Sequence, residues 1–263
     1  MPDRRRHRGP HPEDAELFGE HAVSVLRAAV ADLSWLLTRG YAEVAALEVV
    51  GNRYQLAQRQ RVAVRRCACT DAQRVCRARA RRDLASLRGA RLAVDGFNVL
   101  TTIEAALAGG VLLRGRDGVV RDMASMHGTW RRVAETAPAV DAMFAEIAAC
   151  APAGVEIVLD RQVANSGRLA GMLRVAAATV ALPCAVALAG DADAALLATG
   201  VPVATADRAI LDRAAHWVDL AGAVLRRLPG TPWLLDLGGE RQDRAGGAAD
   251  APPTGDAAAP PLA

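Results

Sequence analysis

Three short apolar runs, each closing on or just before an aspartate, constrain this chain more than any other feature. They are residues 91–95 (RLAVD), 155–160 (VEIVLD) and 201–205 (VPVAT, with Asp207 two residues on). Runs of this length, rich in valine, leucine and isoleucine and lacking polar alternation, suit strands buried on both faces. Helix-like stretches separate them, at 101–107, 129–150, 168–176, 192–198 and 206–215, and residues 217–220 read as a further strand. Strands alternating with helices predict an α/β fold: a mostly parallel sheet with helices on both faces.

Ahead of this pattern the periodicity is helical. Pro12, Glu13 and Asp14 suit a first turn, and Leu17, Phe18, Val25, Leu26, Ala29, Leu33, Leu36 and Leu37 recur near helical spacing up to Gly40. Further helices are expected near 42–50, 56–64 and 71–87, so residues 1–88 read as a small all-α domain preceding an α/β domain at 89–237. Residues 238–263, rich in Gly, Ala and Pro without apolar period, are expected to form a disordered tail.

Charge divides at the same point. Residues 1–90 hold 17 Arg against 10 acidic residues, net +7, and residues 91–263 hold 15 against 19, net −4. There is no lysine, a pattern that genomic base composition alone would produce. The segment 53–88 holds eleven arginines, including Arg61 and Arg65. One reading is phosphate contact with RNA, of low sequence specificity because Tyr54 is the sole aromatic interleaved; the other is a solvated helix face. The longest uncharged stretch, 175–190, is too short for a bilayer and holds Pro183, so no membrane span is expected. Positive charge at the N-terminus without an apolar segment behind it predicts no secretory signal and a cytoplasmic location, as do five cysteines without a regular framework.

The ends of parallel strands are where open sheets bind ligands, and Asp95, Asp160 and Asp207 fall there, with Asp191 and Asp193 (GDADAALL) before the helix that leads to the last strand. Carboxylates converging on one end repel one another without a cation, and their hard oxygens suit Mg²⁺ or Mn²⁺. Metal-assisted phosphodiester hydrolysis is the chemistry such a set supports. Each aspartate could equally cap the helix that follows it. Gly96 permits a tight turn after Asp95, and Asn98 offers an amide to backbone or phosphate. Arg121 could hold a phosphate bidentately, Asp122 orient it, and His127 protonate a leaving oxygen, against the plain reading of a solvated loop. Asn165 and Ser166 are candidates for anion contact at a helix start, or an ordinary cap. Glu104 could face the site or solvent. Cys67, Cys69 and Cys76 lack zinc spacing and a fourth ligand, and Cys150 and Cys184 suit the core. No P-loop, G-x-G-x-x-G after a strand, G-x-S-x-G or H-E-x-x-H is present.

VDGFNVL near the start of the sheet together with VATADRAILDRA at a later strand resembles the PIN/NYN-like nuclease superfamily. The whole chain, over about residues 8–228, is similar to a prokaryotic family of two-part proteins. There a helical domain of unknown function (RGPHPED, WLLTRGY, VVGNRYQL) precedes a PIN-like domain (DGFNVLTTIEAAL, DGVVRDMASMHGTW, LDRQVANSG, TADRAILDRA). The resemblance implies that Asp95 and Asp207 are metal ligands, with Asp193 as a third, Asp191 as its substitute, and Asp160 on metal or substrate. It implies a Mg²⁺- or Mn²⁺-dependent ribonuclease with RNA as partner. A non-catalytic RNA-binding or ribosome-associated protein, a phosphatase or nucleotide hydrolase, and a homo-oligomer are left open by the sequence.

Overall fold

The computed structural model describes residues 7–123 and 128–239. The expected tail therefore lies almost wholly outside the described residues, as does His127. Five helices come first: α1 (Asp14–Leu17), α2 (Glu20–Thr38), α3 (Glu43–Arg53), α4 (Gln58–Cys67) and α5 (Asp71–Ala80). The single long helix expected from residue 12 to Gly40 is broken at Phe18 and Gly19. Phe18 turns into the core, and a Cβ on Gly19 would stand 2.9 Å from the Ala15 carbonyl oxygen. Thr70 caps α5 by accepting from the Gln73 amide while the Gln73 side chain accepts from the Thr70 amide, a reciprocal capping box.

The α/β part follows as β1 (Arg91–Asp95), α6 (Gly96–Leu107), β2 (Leu112–Arg114), β3 (Val120–Asp122), α7 (Thr136–Cys150), β4 (Gly154–Asp160), α8 (Ser166–Thr179) and β5 (Cys184–Ala189). It closes with α9 (Ala192–Ala198), β6 (Val203–Ala204), α10 (Arg208–Leu211), β7 (Trp217–Val218), α11 (Leu220–Arg227) and β8 (Leu234–Asp236). The main sheet has the order β5-β4-β1-β6-β7 and is parallel throughout. Side chains of β1 alternate between its faces: Leu92 and Val94 join the large core that includes α6, α7, α8 and α11, whereas Ala93 joins Leu196 of α9 and Ile210 of α10 on the other side. The expected α/β architecture with helices on both faces is the one observed.

The chain runs from β1 outward through β4 to β5, then returns to lay β6 and β7 on the opposite flank of β1. This reversal opens a crevice beyond the carboxyl end of β1, between its two neighbours.

A second sheet, in the order β3-β2-β8, joins the two parts of the chain. Leu26, Leu33 and Val64 from the helices pack with Val111, Leu113, Met123, Leu235 and Leu237 in one apolar cluster. Burial of this kind contributes roughly 1.5–3 kcal/mol for each large apolar side chain. Polar contacts reinforce it. Arg77 of α5, fully buried, donates to Asp212 at 2.7 Å and to Asp117 at 2.6 Å, and its carbonyl accepts from the Trp217 indole at 2.7 Å. No helix among the described residues is long and apolar enough to cross a membrane.

Candidate active site

Asp95 ends β1 and caps α6, its Oδ1 accepting from the Asn98 amide at 3.3 Å. The helix starts this abruptly because Gly96 has no side chain: a Cβ there would meet Leu159 Cδ2 at 2.6 Å and Ile157 Cγ2 at 2.8 Å. The other oxygen of Asp95 accepts from the Thr205 hydroxyl at 2.9 Å, across the junction between β1 and β6. Asn98 fixes the same junction, since its Oδ1 accepts from the Ala206 amide at 2.7 Å. Asp207 follows, capping α10 with Oδ1 on the Ala209 amide at 2.7 Å.

These residues border one cleft of about 390 Å³ at the carboxyl end of the sheet. Asp95, Asp160, Asp193 and Asp207 all line it, as do Asn98, Thr102, Arg121 and Asp122. Asp191 instead caps α9 through the Ala194 amide at 2.9 Å, and Asp160 accepts from the Gln162 amide at 2.7 Å. Burial pushes the Asp95 carboxyl up to about 7, and the charges of Asp207 and Asp193 push in the same direction against the Thr205 and Asn98 hydrogen bonds. Asp193 is likewise raised, by burial first and then by Asp207 and Asp191.

Arginines meet this acidic set in the cleft. Arg121 borders it, but its guanidinium is committed: both Nη atoms donate to Asp117, at 2.9 and 2.7 Å, and Nε donates to the Ala206 carbonyl at 3.0 Å. It therefore braces the loop that carries Asp207. Two arginines not singled out from sequence, Arg66 and Arg208, line the cleft as well. Arg66 comes from the end of α4 and donates to the Asp122 carbonyl. Arg208 pairs with Glu43 at 3.1 Å, while its Nε is buried with no hydrogen-bond partner among the described residues. Its position directly after Asp207 in the motif TADRA was the available signal.

Other candidates lie elsewhere. Asn165, in the left-handed region at φ +69°, donates to the Trp130 carbonyl at 2.9 Å, and Ser166 is buried at the start of α8. Neither is among the described residues lining the cleft. Arg61 donates to Leu56 O at 3.0 Å and to Asn52 Oδ1 at 2.8 Å, and Arg65 pairs with Glu43. Glu104 faces neither cleft nor solvent; it is buried and held by Arg8 and by the Thr136 hydroxyl at 2.6 Å. Cys67 and Cys69 are buried and Cys76 exposed, all as free thiols, and burial pushes Cys67 up to about 12.

The donors facing the cleft have the hard-oxygen chemistry that Mg²⁺ and Mn²⁺ take, and the charges of Asp207 and Asp193 add to the burial that raises the Asp95 carboxyl. In chemistry the aspartates fit such an ion. Among the described residues no three His, Cys, Asp or Glu side chains already stand at metal-binding spacing.

Comparison with known proteins agrees with the two-part organisation. Residues 84–223 match the family model described as a domain of unknown function, DUF5616, and residues 25–79 match that of a protein of unknown function, DUF434. The chain is 30% identical over 143 residues to an uncharacterised protein of Methanocaldococcus jannaschii, covering 54% of this chain and 68% of that protein. No solved structure gives a significant match.

Proposed function

We propose that this chain, which belongs to the DUF5616 domain family and carries a DUF434 region ahead of that domain, is a metal-dependent nuclease that hydrolyses RNA phosphodiesters in the cleft at the end of β1. The observation that carries the reading is the meeting of Asp95, Asp160, Asp193 and Asp207 with Arg66 and Arg208 in one cleft. The likeness of VDGFNVL and TADRA to PIN/NYN-like nucleases supports it.

Asp95, Asp193 and Asp207 would hold Mg²⁺ or Mn²⁺, with Asp160 on metal or substrate. When bound, such an ion acidifies water and stabilises a leaving oxygen. The protein's own groups do the rest. Thr205 and the Asn98 amide fix both oxygens of Asp95, so the carboxylate meets substrate without reorganising. Arg208 Nε, a buried donor without a protein partner among the described residues, has the chemistry to take a phosphate oxygen. Arg66 brings a guanidinium from the helical region to the cleft, beside Asp122. Arg121 acts at one remove, holding Ala206 and thereby Asp207.

Labelled RNA incubated with purified protein and Mg²⁺ or Mn²⁺ tests the reading. Cleavage is expected, lost by roughly 100-fold or more in Asp95→Asn with Asp207→Asn. No cleavage with either metal, or unchanged cleavage in the double variant, would sink it. The lack of a ready-made three-ligand group among the described residues favours a second reading, RNA binding without hydrolysis. Undiminished RNA affinity in EDTA, with no cleavage at any metal concentration, would select that one.

A further inference from the structure

A second groove, of about 490 Å³, is lined by residues of α2, α5 and the β2–β3 turn. Buried Val30 and Leu237 line it together with Arg27, Arg39, Arg74 and Arg116. Asp71 is the one acidic residue among those lining it, and Arg116 pairs with it at 2.5 Å. The groove is therefore net cationic. Trp35 stands in it 54% exposed, unusual for a ring whose counterparts Trp130 and Trp217 are fully buried. The Arg39 guanidinium stacks on the Trp35 ring, 3.5 Å from its centroid. The Arg74 side chain is exposed and makes no side-chain hydrogen bond or ion pair among the described residues, though its charge acts on Asp71.

A half-exposed indole that already stacks one guanidinium, among further arginines and apolar lining residues, has the chemistry of a single-strand platform. The ring accepts any base by stacking, the guanidiniums take phosphates, and neither reads sequence. An acidic peptide would satisfy the arginines and leave the indole unused. We propose that this groove anchors single-stranded RNA, one base stacked at Trp35 and the flanking phosphates held by Arg39 and Arg74.

The groove is placed to serve the cleft. Arg66 lines the cleft and Asp71 the groove, five residues on; Arg121 and Arg116 repeat that offset on the β2–β3 hairpin. Five residues span at most about 17 Å. That is the length of about five stacked nucleotides at 3.4 Å each. The lining of the groove and the lining of the cleft thus approach within a few nucleotides of each other.

The inference shares with the proposed function its choice of RNA as ligand, and the test separates the two by reading binding in EDTA. Fluorescence anisotropy of a labelled single-stranded RNA of about 12 nucleotides, titrated with full-length protein, is the measurement. Trp35→Ala should weaken binding about tenfold, and Trp35→Phe should restore most of it. Arg74→Ala should lower the salt dependence by about 0.7 in log–log slope, one phosphate contact on a single strand. Affinity unchanged in Trp35→Ala would overturn the proposal. So would poly-glutamate displacing the RNA as effectively as unlabelled RNA does, since that marks a surface for acidic protein. RNA binding with these responses but no cleavage fails the nuclease reading alone; cleavage with unaltered Trp35→Ala binding fails the groove alone.

Discussion

The Thr205 hydroxyl donates to Asp95 Oδ2 at 2.9 Å, and Thr205 Oγ1 also accepts from the Asp207 amide at 3.0 Å. One small side chain therefore sets the spacing of two candidate metal-holding carboxylates. Thr205→Val keeps the shape and removes both bonds. Stability should fall by about 1 kcal/mol. Mg²⁺ affinity, followed by the metal-induced rise in melting temperature, should fall roughly 10–100-fold, as for other groups that orient metal-holding residues. An unchanged Mg²⁺ response would remove Thr205 from this role.

The raised Asp95 carboxyl makes stability depend on pH in a definite direction. Its folded value, about 7, lies above its ordinary 3.8. Between those values the folded chain keeps a proton that the unfolded chain has released, so the stabilisation is complete below about pH 4 and is lost as pH rises through about 7. Metal-free protein should therefore lose stability from pH 5 to 8, on the order of 1–3 kcal/mol after allowing for the residue's partial exposure. Asp95→Asn should flatten that slope, and Mg²⁺ should stabilise the wild type most at the alkaline end. A wild-type slope identical to that of Asp95→Asn in thermal melts across this range would contradict the assignment.

Arg77 offers a test of how the helical region holds the loop that bears Asp207. Arg77→Ala would leave Asp117 and Asp212 facing a buried gap, and destabilisation of about 3–5 kcal/mol is expected in urea unfolding. The Asp117 carboxyl is held below its ordinary value by Arg121 and Arg77 against its burial. Its contribution is thus present above about pH 4 and lost on acidification, so the variant should also lose part of the wild-type sensitivity to acid. A loss under 1 kcal/mol would show that the network relaxes around the gap.

Gly96→Ala probes the junction from the strand side. The added Cβ would push into Leu159 and Ile157, for a cost of about 1–3 kcal/mol, and would displace the start of α6 with Asp95. Cleavage should fall more steeply than stability. Equal activity per folded molecule would show that the site tolerates the shift.

Much of this was legible in the sequence wherever a local signal sufficed. Asp95 and Asp160 end their strands where the apolar runs end, and α9 spans the residues its pattern marks. Signals that depend on partners were invisible. Strand β5 lies inside the uncharged stretch 175–190, where the uncharged run continues without a break from the preceding helix, and β2, β3 and β8 are three residues each, too short for alternation to register. The expected helix at 206–215 is only four residues long, Arg208–Leu211, and continues as a turn in which Asp212 meets Arg77. For the same reason the arginines divided unpredictably. Arg61, Arg65 and Arg66 share one arginine-rich segment, but their neighbours in space decide that Arg66 reaches the cleft while Arg61 and Arg65 are tied to Asn52 and Glu43.

The apolar cluster that joins the helices to the small sheet bears on how such a chain can be inherited. Among the described residues, Leu113 and Leu235 pack in one cluster with Leu26, Leu33, Val64 and their neighbours. A cut near Gly89 would leave two complementary greasy faces, each prone to seek the other or to aggregate. The two matched regions are accordingly expected to travel through genomes as a fixed pair, with recombination between them selected against by solubility before any question of activity arises.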